Sequence, residues 1–142
     1  MGRIVVGVDG SDTSVAALRW AMQEGQLRAC EVEAIYAWTI PVMYGPMGAI
    51  ATPPPRADML EAVQAELSKA IVTAGGVGQV TERIVEAPAA QALVEASQDA
   101  DMLVVGSRGL GGFRGLLLGS IGQQCAHHAG CPVVIIPHER GS

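Results

Sequence analysis

Residues 106–120 carry the spacing Gly106-x2-Gly109-x9-Gly119-Ser120, with Ser107, Arg108 and Arg114 inside it. Glycines let backbone N–H groups close on an anion with no side chain in the way. Gly119-Ser120 stands where a helix is expected to begin, and there unpaired N–H groups and the positive dipole end favour the same anion. The Ser120 hydroxyl adds a donor, and Arg108 and Arg114 add charge. The pattern is that of a phosphate cradle. A merely flexible connection suits a lone glycine pair better than this run between a buried strand and a capped helix.

The apparatus that cleaves phosphate is missing. A Walker A loop closes on Gly-Lys followed by Ser or Thr, and the only lysine, Lys69, belongs to another segment. The first strand is followed by Asp9-Gly10-Ser11-Asp12, not by Gly-x-Gly-x-x-Gly. Asp9 alone reads as a turn residue; beside the glycine loop it reads as a ligand contact. Pairing Ser107 or Ser120 with His127 or His128 finds no Gly-x-Ser-x-Gly elbow, and His127 lies about two helical turns, ~10 Å, from Ser120. Cys125, His127, His128 and Cys131 have the side chains of a metal cluster, but Cys131 falls past the helix end and structural zinc takes four well-spaced ligands. The plainer expectation puts Cys125 in the core and the histidines near a helix C-terminus, where they are favoured. No catalytic residue and no metal ligand are assigned.

The elements that must position these residues follow from periodicity. Arg3–Asp9 is almost continuously apolar and β-branched, as a strand covered on both faces reads. Ser11 or Ser14 caps a helix bearing Val15, Leu18, Met22 and Gly25 on one face. Glu33–Trp38 is a second strand. Residues 39–57 show no period and hold five prolines, far more than an ordinary connection; Met43, Tyr44 and Met47 would serve there as a lid, or the loop is simply exposed. Asp58 is expected to cap a helix through Leu60, Val63, Leu67, Ala70 and Ile71, ended by Gly75-Gly76. Gln79–Glu86 interleaves polar and apolar residues, as an edge strand does. Pro88 opens a helix over Ala89–Gln98. Asp101–Gly106 is a buried strand, Gly119–Ala129 a helix and Cys131–Pro137 a last strand. Strands alternating with helices predict an α/β fold, an open five-stranded parallel sheet with helices on both faces. Its ligand site is expected beyond the carboxyl ends of the strands, at the switch in strand order.

The 142 residues read as one domain over 1–142, with 49% hydrophobic residues, 16% charged and a mean hydropathy of +0.32, which excludes a disordered chain. No run reaches the roughly 18 apolar residues of a spanning helix, so no membrane is expected. Nine basic against fourteen acidic residues give a net charge of −5, without the basic stripe a nucleic acid would need. Three cysteines without a Cys-x-x-Cys pair, and no apolar leader with a cleavage site, suit a reduced, cytoplasmic chain.

The Asp9-Gly10-Ser11 turn, the glycine spacing from Gly106 to Ser120 and the ending His127-His128-Ala129-Gly130-Cys131-Pro132-Val133-Val134 together resemble the universal stress protein family. The resemblance covers essentially the whole chain as a single untandemed copy. It implies a Rossmann-like fold akin to the adenine nucleotide alpha hydrolases and, for the subgroup with this glycine motif, bound ATP together with Mg²⁺. Asp9 would lie by the adenine and ribose, with Gly7 in close backbone contact. Ala37 would present its backbone to the adenine, Gly106 would meet the ribose, and Gly109, Gly119, Ser120 and Ile121 would hold the phosphates; Ala37 offers less side-chain contact than the valine often found there. Ser107 and Arg108 complete the expected cofactor-binding set. The resemblance further implies a homodimer through the last strand, where Val133–Ile136 is apolar enough for an edge that pairs with its own copy. The expected function is a nucleotide-dependent sensor or adaptor in stress response, not an enzyme, with segment 39–57 as one place where its states differ. The alternatives are a slow ATPase or nucleotide transferase and a nucleotide-free dimeric interaction protein. A flavodoxin-like FMN module shares the architecture, but the long glycine loop after the fourth strand does not suit it.

Overall fold

The computed structural model describes residues 2–40, 43–44, 50–51, 54–107 and 120–137. Ile4, Val5 and Val6 are all wholly buried. Successive strand residues point to opposite faces, so this burial requires cover on both sides of the sheet. The elements in chain order are β1 (Arg3–Gly7), α1 (Asp12–Arg28), β2 (Glu31–Trp38), β3 (Met43–Tyr44), β4 (Ile50–Ala51), α2 (Arg56–Ala74), β5 (Thr81–Glu86), α3 (Ala89–Ser97), β6 (Met102–Gly106), α4 (Ser120–His128) and β7 (Val133–Ile136). Five strands form one parallel sheet in the order β5-β2-β1-β6-β7. This is the open α/β sheet that the alternation of strand and helix predicts, and β5 stands at its edge as its polar interleaving requires.

Two cores sandwich the sheet. Ile4, Val6, Val8, Ala34 and Val104 meet Leu18 and Ala21 of α1 and Leu67 and Ile71 of α2. On the other face Val5, Ile35, Leu103 and Val105 meet Leu93 and Ala96 of α3 and Cys125 of α4. Burial of this apolar area on both faces is the main favourable contribution to folding.

The start of α2 and segment 39–57 differ from the sequence reading, and the choice of cap for α1 is decided. Asp58 does not cap α2: the helix starts at Arg56 behind Pro55, whose φ of −55° leads into the helix and whose carbonyl accepts from the N–H groups of Asp58 and Met59. Asp58 therefore falls in the first turn, where its charge favours the helix dipole. Of the two candidate caps for α1, Ser11 is the one: its Oγ accepts from the Ser14 N–H at 3.2 Å. Within 39–57, Met43–Tyr44 and Ile50–Ala51 form a short antiparallel ladder that an aperiodic stretch does not announce; Met47, the third lid candidate, lies outside the described residues.

Two glycines mark where elements touch. A Cβ on Gly7 would stand 2.8 Å from Leu93 Cδ1, the movable tip of an α3 side chain. A Cβ on Gly106 would stand 2.6 Å from Thr13 Cγ2 and 3.2 Å from the Thr13 carbonyl carbon, which belongs to the helix backbone and cannot swing aside. Gly106→Ala is expected to cost about 1–3 kcal/mol as an overpacked contact, read from the urea midpoint. Adding Thr13→Ser, which removes the nearest methyl, should return part of that loss. An unchanged midpoint in Gly106→Ala would disprove the close approach.

Candidate functional site

Strand order reverses at β1: the chain moves outward to β2 and β5, then returns to β6 and β7 on the other side. In such sheets the crevice for a ligand opens outside the carboxyl ends at that point. Gly7 is in register with Ile35, and Val6 with Val104. Continuing both registers sets Asp9 level with Ala37 and Ser107. Topology thus gathers the β1–α1 turn, the end of β2 and the end of β6 at one end of the sheet. Helix α4, which runs back against the strands, begins at that same end.

The β1–α1 turn is built by its own side chains. Val8 N–H donates to the Ile35 carbonyl at 2.9 Å, the last sheet-like bond before the chain turns. Asp9 Oδ1 accepts from Ser11 N–H at 2.9 Å and from the Ser11 hydroxyl. Gly10 has φ of +86°, a conformation that favours glycine. Ser11 caps α1, and the Ser14 hydroxyl donates to the Ser11 carbonyl at 2.9 Å. The Asp9 carboxylate is therefore held in one orientation at the mouth of the crevice.

The other expected residues fall as follows. Ala37 is the penultimate residue of β2, opposite Val85 of β5. Gly106 ends β6 against the first turn of α1. Ser107 is buried, and its N–H donates to the Ile136 carbonyl at 2.8 Å, joining β6 to β7. Ser120 is the first residue of α4 and is exposed, while Ile121 packs on the core shared with Leu93 and Cys125. Gly7 reaches the same end, its missing side chain replaced by Leu93. Arg108, Gly109, Arg114 and Gly119 lie outside the described residues. Chemically, the described groups at this end are two helix starts, several serines and one carboxylate.

Sequence reading missed a second layer on the α2 side. The Tyr36 hydroxyl donates to Glu66 Oε2 on α2 and lies 3.5 Å from the Asp9 carbonyl oxygen. Burial, reinforced by the hydrogen bond to Glu66, raises the phenol's ionisation well above its ordinary range. Trp38, buried at the end of β2, carries the Arg56 guanidinium 5.6 Å from its ring centroid, and Arg56 also pairs with Glu86. The signal in sequence was slight: Tyr36 and Trp38 alternate with Ala37, but their partners lie on other elements.

The parallel sheet between two helical layers, with a side-chain-built turn at its switch point, defines an open α/β domain. The chain belongs to the universal stress protein family, whose sequence profile matches residues 1–137. A universal stress protein of Mycolicibacterium smegmatis is 34% identical over 143 residues, covering 94% of this chain and 47% of its own length. One from Mycobacterium tuberculosis is 35% identical over 133 residues, covering 93% and 44%. The chain thus spans about half the length of these curated relatives. Among solved structures, a universal stress protein in complex with cAMP has a TM-score of 0.70 at 30% identity, covering 97% of this chain and 98% of that one. The universal stress protein of Archaeoglobus fulgidus in complex with dAMP gives 0.68 at 24% identity, covering 96% and 98%, and at that identity speaks for the fold alone. No helix among the described residues is long and apolar enough to cross a membrane.

The cysteine and histidine cluster does not assemble into a site. No group of three or more potential ligands gathers among the described residues. His127 and His128 occupy the last turn of α4, and Cys125 is wholly buried in the core between α3 and α4. Burial pushes the Cys125 thiol from an ordinary 9.0 up to about 11. In the native protein at pH 8, iodoacetamide should leave Cys125 unmodified and label it only after unfolding in urea. The sign of the pH effect follows. The unfolded chain loses this proton first, so the stability contributed by the neutral thiol is complete below pH 9 and lost as pH rises toward 11. Wild type should therefore fall in urea midpoint over that window more than Cys125→Val does; parallel profiles would refute the assignment.

Proposed function

We propose that this chain is an ATP-binding universal stress protein that works in the cytoplasm as a nucleotide-dependent sensor or adaptor rather than as an enzyme. The observation that carries the reading is the convergence of Asp9, Ala37, Gly106, Ser107 and the Ser120 start of α4 at one switch point. The residues present fit an adenine nucleotide. The close approach at Gly106 leaves the end of β6 without a side chain, and α4 begins on a hydroxyl residue with its first N–H groups directed to the strand ends. The universal stress protein in complex with cAMP, 30% identical to this chain, supports an adenine ligand. Asp9 would hold the ribose, Gly7 and Ala37 would offer backbone to the adenine side, and Gly109, Gly119, Ser120 and Ile121, with Ser107 and Arg108, would hold the phosphates with Mg²⁺. Bound nucleotide would act by binding one conformation better than another, since a ligand shifts an equilibrium only through differential affinity.

Freshly purified protein is expected to release ATP on denaturation, and stripped protein to bind Mg-ATP in calorimetric titration. Gly109→Asp, which sets a carboxylate against the phosphates, should weaken that binding about 100-fold or more with the fold intact. Full affinity in a folded Gly109→Asp protein would remove the glycine loop from the site. ADP accumulating over many turnovers would replace the adaptor by an ATPase.

The same reading includes a homodimer through β7. Among the described residues β7 pairs with β6 alone, and its four residues are apolar and half-buried. The Pro132 and Ile136 carbonyls face β6, so by alternation the backbone groups of Val133 and Ile135 face the open edge. Ile135→Pro removes a donor from that edge while sparing the bonds to β6. It is expected to shift the protein from dimer to monomer in analytical ultracentrifugation; a dimer of undiminished affinity would place the interface elsewhere.

A further inference from the structure

Asp9 is oriented by bonds inside its own turn, but those bonds do not say where the turn stands relative to the sheet. The last backbone bond tying it to β2 is Val8 N–H to the Ile35 carbonyl. Beyond that point the next group of β2 to touch the turn is the Tyr36 side chain. Its ring packs on the α1–α2 core. Its oxygen is 3.5 Å from the Asp9 carbonyl oxygen, and its single proton goes to Glu66 Oε2. Glu66 completes the enclosure from α2: a Cβ placed on Gly10 would lie 3.5 Å from the same Oε2. Two elements, β2 and α2, therefore meet over two turn residues, and one phenol–carboxylate bond fixes the ring that sits between them.

We propose that Tyr36, held by its hydrogen bond to Glu66, is a positioning residue that sets the Asp9-Gly10-Ser11 turn against the carboxyl end of β2 for its ligand. That the ligand is an adenine nucleotide rests on the reading above; that Tyr36 holds the turn does not. A phenol is neutral throughout the neutral range, and burial with Glu66 raises its ionisation further, so it remains a donor there. A carboxylate is a strong acceptor for it, so loss of either partner frees the ring. Loss of charge alone does not, because a Gln side chain keeps a carbonyl oxygen.

The test compares Tyr36→Phe, Glu66→Leu and Glu66→Gln with wild type by amide hydrogen exchange at residues 10–14 of the free protein and by Mg-ATP titration. Tyr36→Phe and Glu66→Leu should speed exchange at the turn by about 5–10-fold, the equivalent of one net hydrogen bond, and weaken Mg-ATP by a similar factor. Exchange in β1 and β6 should not change. Glu66→Gln should behave as wild type in both measurements, which a generally loosened structure would not reproduce. Unchanged exchange at the turn in a folded Tyr36→Phe protein overturns the proposal. So does a Glu66→Gln protein as impaired as Glu66→Leu. If Tyr36→Phe does not fold, the two Glu66 variants decide by themselves. A wild type that binds no Mg-ATP refutes the nucleotide reading, and turn exchange still decides the role of Tyr36.

Discussion

The first turn of α1 rests on the end of β6 at a point where only a glycine fits. Thr13 is buried there, its methyl 2.6 Å from where a Gly106 side chain would begin. This contact closes the gap between two segments almost a hundred residues apart. It places the Asp9 turn beside the start of the loop that follows β6. The cost is borne by the sheet, which contributes a glycine where a larger residue would pack more area. On one side of this contact stands a capped helix, and on the other a strand end tied to β7 through the Ser107 N–H.

The site chemistry follows from what such walls supply. Parallel strands flanked by returning helices bring helix N-termini to one end, so α1 and α4 start where β1 and β6 finish. Two helix starts and several hydroxyl-bearing residues therefore gather at that end, and helix starts favour an anion. Asp9 is the opposing feature, an acceptor in a neighbourhood of donors. Its Oδ1 is engaged by Ser11. Cys125 shows the opposite case. Its thiol is buried in the apolar core, and the burial that raises its ionisation also makes it inert.

Much of the architecture was legible because continuous β-branched runs admit few alternatives. Residues 3–9 and 101–106 are too apolar for a strand with a wet face, and the observed sheet buries both faces of β1 and β6. The alternating polarity of 79–86 announced an edge, and β5 is one. Capping was less legible. Asp58 has the right chemistry for a cap, yet Pro55 already had the backbone conformation and the free carbonyl that begin a helix. The β3–β4 ladder was invisible because two-residue strands have no period to detect.

The site divides in the same way. The bonds that build the Asp9-Gly10-Ser11 turn from its own side chains were readable because they span at most five residues, and residue type specifies them. The glycines at 7 and 106 announced close approach but not the neighbour; that Leu93 fills one gap and Thr13 closes the other depends on which helix crosses which strand. Tyr36 and Glu66 are thirty residues apart, and Trp38, Arg56 and Glu86 come from three elements. No local pattern encodes such partners. By itself the sequence determined the alternation of strand and helix, the apolar faces and the chemistry of the turn, because these rest on interactions between near neighbours in the chain. Tertiary structure alone decided which turn meets which strand end, because strand order and helix packing act between residues that the chain holds far apart.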